Sequence, residues 1–91
     1  MASSAEVAVT LNSEALVGQL SVGRFCVFYE QHWNFDWLGR ESEPTTEQFR
    51  RLLEVVVWYC PFPEERALIP NYTNEKQVLA VAQQVRAAVG A

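Results

Sequence analysis

The sequence predicts a small α+β fold: a single two-layer domain in which strands near the N-terminal half are packed by two longer C-terminal helices. Three observations carry that expectation. Apolar and polar residues alternate over residues 6–11, residues 24–31 are mostly β-branched or aromatic as in a strand with both faces buried, and apolar residues recur at three- and four-residue spacing in the second half. A chain of 91 residues, 49% hydrophobic and 12% aromatic, has side chains for one core. A domain of this size buries only about 60–65% of the surface its unfolded chain exposes, so modest stability is expected. Residues 1–91 are read as one domain, with residues 1–5 as a flexible N-terminal tail.

Val7, Val9 and Leu11 alternate with Glu6, Ala8 and Thr10, the period-2 pattern of a strand with one buried face. Asn12 and Ser13 then offer side-chain oxygens for capping, and Ala15, Leu16, Gln19 and Leu20 fall at helical spacing until Gly23. Residues 24–31 predict the central strand, because Phe25, Val27 and Tyr29 alternate with Cys26, Phe28 and Glu30 and most of these are β-branched or aromatic. The polar stretch Gly39-Arg40-Glu41-Ser42-Glu43-Pro44 predicts a surface loop.

Thr45-x-x-Gln48 matches a capping box, and Phe49, Leu52, Leu53 and Val56 follow on one helical face while Arg50, Arg51 and Glu54 point away. The run Val55-Val56-Val57-Trp58-Tyr59 suits either the end of that helix or a buried strand. No breaker stands between Glu47 and Cys60, which favours helix to about Tyr59. If the run is instead a third strand, the fold becomes a compact α/β sheet. Pro61 and Pro63 end the element, Glu64-Glu65-Arg66 marks one short helical turn, and Thr73 or Asn74 caps a last helix with the stripe Val78, Val81, Ala82, Val85 and Val89.

Composition narrows the function classes. Eleven carboxylates against seven basic residues give a net charge of −4, and the only cationic cluster is Arg50-Arg51, so nucleic-acid binding is disfavoured. Cys26 and Cys60 are read as reduced thiols, the N-terminus has no basic residue ahead of an apolar core, and no apolar run approaches the ~20 residues of a spanning helix. A cytoplasmic location with no membrane association is therefore expected. No paired ligands occur at zinc-site spacing, Gly18-x-x-x-x-Gly23-Arg24 lacks the lysine of a phosphate loop, and no cofactor is expected.

The segment Gln31-His32-Trp33-Asn34-Phe35-Asp36-Trp37-Leu38 is the first candidate site. As a strand it would place Trp33, Phe35 and Trp37 on one side; as a turn it would fold the rings around a corner. Rings of this size either complete a core or anchor an interface. The function expected is a small non-catalytic protein–protein interaction module, an accessory subunit, regulator or inhibitor, using an aromatic-rich surface around residues 29–38. Trp33, Phe35 and Trp37 would be its anchors, with His32 and Asp36 as a polar rim. The partner would be another protein, or a second copy through apolar helix faces or the edge strand at residues 6–11. The alternative is a thiol-dependent redox protein centred on Cys60, whose thiol would be activated if Val55 to Tyr59 were a strand and Pro63 opened a helix just beyond it. Cys60-Pro61-Phe62 resembles the first half of a thioredoxin-like active site, but Pro63 stands where the second cysteine would be.

Overall fold

Ser3, Ser21 and Asn74 open three helices by the same chemistry: a side-chain oxygen accepts a backbone N–H of the first turn, which has no partner inside the helix. The hydroxyl of Ser3 accepts from Glu6 N at 3.1 Å, that of Ser21 from Arg24 N at 3.3 Å, and Asn74 Oδ1 from Gln77 N at 2.8 Å. Gln77 Oε1 returns the favour to Asn74 N at 2.8 Å, completing a capping box. The structure is a computed structural model that describes residues 3–37 and 43–89. From these caps run α1 (Ser4–Leu16), α2 (Val22–Gln31) and α5 (Glu75–Val89); α3 (Glu43–Val57) and the short α4 (Pro63–Leu68) complete the helices. A π-helical turn, His32–Asp36, continues α2 without a break.

The expected α+β architecture is overturned, and so is its α/β alternative. Among the described residues the elements are all helical, and the nearest approach to a sheet is one isolated parallel bridge between Tyr59 and Thr73. Residues 6–11 form part of α1, which turns its small residues inward: Ser4, Ala8, Asn12 and Ala15 are buried at helical spacing, while Val7, Val9 and Leu11 flank them half-buried. Ser4 and Ala5, assigned above to the tail, form its first turn. Asn12 and Ser13 do not cap. Ser13 Oγ donates back to Val9 O at 2.9 Å and Thr10 Oγ1 to Glu6 O at 2.9 Å, the i−4 bond that lets a hydroxyl sit inside a helix. The expected helix up to Gly23 ends at Leu16, and Gly18 takes the left-handed φ of 81° that the turn requires.

Residues 24–31 lie in α2 rather than in a central strand. Its buried residues are Val22, Phe25, Cys26 and Tyr29, the 3.6-residue period, while Val27 and Phe28 are left 52% and 43% exposed. Tertiary packing here overrides β-propensity, which is a weak preference for half-buried surface. The Val55-Val56-Val57-Trp58-Tyr59 run is helical through Val57 and supplies no third strand. Of the expected loop, residues 39–42 lie outside the described residues, whereas Glu43 and Pro44 open α3, placing Thr45 and Gln48 within the helix.

Helices α1, α2, α3 and α5 enclose one core, with α5 lying against α1 and α3 and α2 against the same two. Its fully enclosed members include Phe25, Tyr29, Phe49, Leu52, Val56, Val78 and Val85. Tyr29 donates its phenol to Phe49 O at 2.8 Å and thereby pins α2 to α3. No helix among the described residues is long and apolar enough to cross a membrane.

This core predicts an alkaline weakness. Burial, with Glu30 adding to it, pushes the Cys26 thiol up to about 12 from an ordinary 9.0, and burial also raises the Tyr29 phenol above its ordinary 10.0. The folded state therefore keeps protons that the unfolded chain releases. The stability that these two groups contribute is fully present below pH 9 and is lost as pH rises from there toward 12. Each group contributes a slope of up to about 1.4 kcal/mol per pH unit. The urea midpoint is expected to drop steadily above pH 9; a midpoint constant to pH 11 would contradict the burial of these groups.

Candidate functional site

The π turn divides the aromatic segment instead of aligning it. Its wider winding stacks Trp33 against Trp37 with centroids 4.7 Å apart, and Trp37 meets His32 and Phe49 edge-on at 5.7 and 5.6 Å. His32 is buried and its Nε2 stands 2.9 Å from Ser4 O; a carbonyl only accepts, so Nε2 carries the proton and ties the π turn to the start of α1. The Arg50 guanidinium lies 6.0 Å from the centre of the Trp33 ring and pairs with Glu47. Trp33 and Trp37 are thus half-buried extensions of the core. Phe35 points the other way at 82% exposure, with Asp36 also in water. Of the five expected site residues, the structure gathers His32, Trp33 and Trp37 together and separates Phe35 and Asp36 from them.

A larger apolar surface lies at the far end of α3, where the chain makes a lobe before returning as α5. Three hydrogen bonds close its base: Thr73 N to Trp58 O at 2.8 Å, Cys60 N to Thr73 O at 3.0 Å, and Thr73 Oγ1 to Val55 O at 2.7 Å. Inside the lobe Arg66 Nη1 donates to Cys60 O at 2.7 Å, and the Cys60 thiol donates to Glu65 Oε2 at 3.5 Å and Phe62 O at 3.7 Å. Pro61, Pro63 and Pro70 restrict the backbone further. These polar ties shape the lobe, yet α4 within it has no buried residue.

That combination is unusual physically. A six-residue helix is far too short to persist by its own hydrogen bonds and normally survives by burying an apolar face. Here Phe62 and Leu68 are 57% and 77% exposed, beside Val57, Trp58 and Ile69. These five are the majority of the nine exposed large apolar residues among those described, so exposed apolar side chains are concentrated in one stretch of the chain, residues 57–69. The Trp58 ring lies 6.0 Å from that of Tyr72, joining the outgoing and returning segments of the lobe's stem. Periodicity alone misses this site because its residues follow no single helical or strand period.

Among the described residues no group of three His, Cys, Asp or Glu side chains is placed to hold a metal ion. A depression of about 270 Å³ between the end of α1 and α5 is lined by Ser13, Leu16, Val17, Gln83 and Arg86, without a carboxylate, imidazole or thiol. Its hydroxyl is committed, since Ser13 Oγ accepts from Arg86 Nε at 2.8 Å. Cys60 is buried, and its sulfur acts as a hydrogen-bond donor. Among the described residues, fold and surface together define a small helical bundle that presents a polar-braced apolar lobe. Set against family models, curated proteins and solved structures, the chain has no significant match in any of the three.

Proposed function

We propose that the protein is a non-catalytic protein–protein interaction module, an accessory subunit, regulator or inhibitor, and that it docks through the lobe of residues 57–72. One observation carries this reading: α4 is held in place by hydrogen bonds while none of its residues is buried against the core. Water-exposed rings on a pre-shaped support suit binding, because little conformational freedom remains to be lost when a partner arrives. Trp58 and Tyr72, adjacent and aromatic, have the character of interface anchors. The surface at residues 29–38 is the weaker candidate because Tyr29 and His32 are buried and Phe35 stands apart. A thiol activity at Cys60 would need a sulfur that reactants reach, whereas this residue is only 6% exposed.

Phe62→Ser combined with Leu68→Ser tests the proposal. Both side chains lie in water, so each change is expected to alter folding stability by no more than about 0.5 kcal/mol. Complexes recovered with the tagged full-length chain from its native cells after cross-linking should disappear with the double variant. Complexes retained at wild-type level would overturn the reading.

A further inference from the structure

The charges around the lobe specify the chemistry of what it fits. Residues 54–76 carry Glu54, Glu64, Glu65 and Glu75 against Arg66 and Lys76, and all four carboxylates are exposed. Arg66 is turned inward onto the Cys60 carbonyl and half-buried, which leaves Lys76 as the exposed cation of the segment. Glu75 acts on the lobe's base, where its charge adds to burial in raising the Tyr59 phenol. Elsewhere among the described residues Arg50 pairs with Glu47, Arg51 with Gln84 and Arg86 with Ser13, while Arg24 stands exposed on α2, outside the lobe.

Resting on the docking reading above, we propose that the lobe's occupant is a basic amphipathic segment of another protein. Its apolar stripe would sit on Trp58, Phe62, Leu68 and Ile69, and its lysines or arginines would face Glu54, Glu64, Glu65 and Glu75. An exposed apolar stretch whose exposed charges are four carboxylates against one lysine selects a partner of the opposite sign, through faster encounter and through the penalty on like-charged competitors. A second copy has the wrong charge, since two-fold pairing of this face would set four carboxylates against four. An anionic lipid surface is repelled for the same reason.

The probe is a synthetic amphipathic helical peptide with leucine on one face and lysine on the other, titrated into the full-length chain by calorimetry. A matched peptide with glutamate replacing every lysine is the control. The leucine–lysine peptide should bind, and the glutamate peptide should not. Phe62→Ser with Leu68→Ser should weaken binding by roughly tenfold or more, the loss expected on removing interface anchors. Glu64→Lys with Glu65→Lys should weaken it several-fold and flatten its salt dependence, because two of the four attracting carboxylates are then replaced by cations. Equal binding of both peptides, lost in the serine variant, would overturn the charge assignment while leaving the docking reading standing. Binding of the lysine peptide undiminished by the serine variant would overturn both. So would absence of binding by either peptide, a wild-type dimer that the serine variant dissolves, or adsorption to neutral phosphatidylcholine vesicles that the serine variant abolishes.

Discussion

Phe49→Ala is expected to destabilise the protein by about 3–5 kcal/mol, the usual penalty for emptying a phenylalanine site in a packed core. Phe49 is fully buried where α3 meets α2 and the π turn. Its ring receives the edge of Trp37 and its carbonyl receives the Tyr29 phenol, so the cavity would open beneath two other aromatic residues. For a small domain with total stability on the order of 5–15 kcal/mol, that is a large fraction. Each kcal/mol moves the midpoint of a chain this size by roughly 4–8 °C, so the melting temperature should fall by at least ~12 °C. A far-UV circular dichroism melt reads the change directly, and a shift below about 4 °C would mean that α3 does not pack as described.

The second large effect has the opposite sign. Asn12 is fully buried in the middle of α1, and neither its Oδ1 nor its Nδ2 has a hydrogen-bond partner among the described residues. Leaving a buried polar group unpaired costs about 1–3 kcal/mol, and asparagine is also a poorer helix former than alanine by roughly half a kcal/mol. The neighbours on the same stripe, Ala8 and Ala15, are already small, so the lost packing volume is slight. Asn12→Ala is therefore expected to stabilise the protein by about 1–3 kcal/mol, where truncating a buried residue ordinarily destabilises it. Urea unfolding of the two chains settles the sign. A loss of stability on making this change would show that the amide is bonded in the folded protein.

How much of this was legible depends on which signals coincided. The last helix was readable because Asn74, Gln77 and the stripe Val78, Ala82 and Val85 agree on start, face and period. The body of α3 was readable for the same reason. The first two helices were misread because their sequences fit two templates at once. In α2 nearly every residue from Phe25 to Tyr29 is apolar, so period 2 and period 3.6 differ only in what they leave outside, and the answer lies with Val27 and Phe28 in water. In α1 the large residues Val7, Val9 and Leu11 drew attention from the small ones that face the core. Two cap signals would have corrected both readings: Ser3 three residues before Glu6, and Ser21 one residue before Val22.

The candidate site was less legible than the fold. Trp33, Phe35 and Trp37 at alternate positions suggested one aromatic face, but a π turn is not encoded in any simple period, and it packed two rings half-buried against the core and released the third. The lobe did leave a trace. Phe62, Leu68 and Ile69 occur in a stretch punctuated by Pro61, Pro63 and Pro70, and apolar side chains where prolines forbid long regular elements have few ways to reach a core. Their exposure became visible only once Thr73 was seen to close the base and α4 to stand clear of the bundle.

The most direct test of the docking surface is site-specific photo-cross-linking in the native cell, with p-benzoylphenylalanine placed at position 68 on the lobe and, separately, at position 87 on the exposed face of α5. The account predicts a discrete heavier adduct with another protein from position 68 and none from position 87. An adduct from position 87 alone, or no adduct from position 68 under conditions where the protein is folded and abundant, would contradict it.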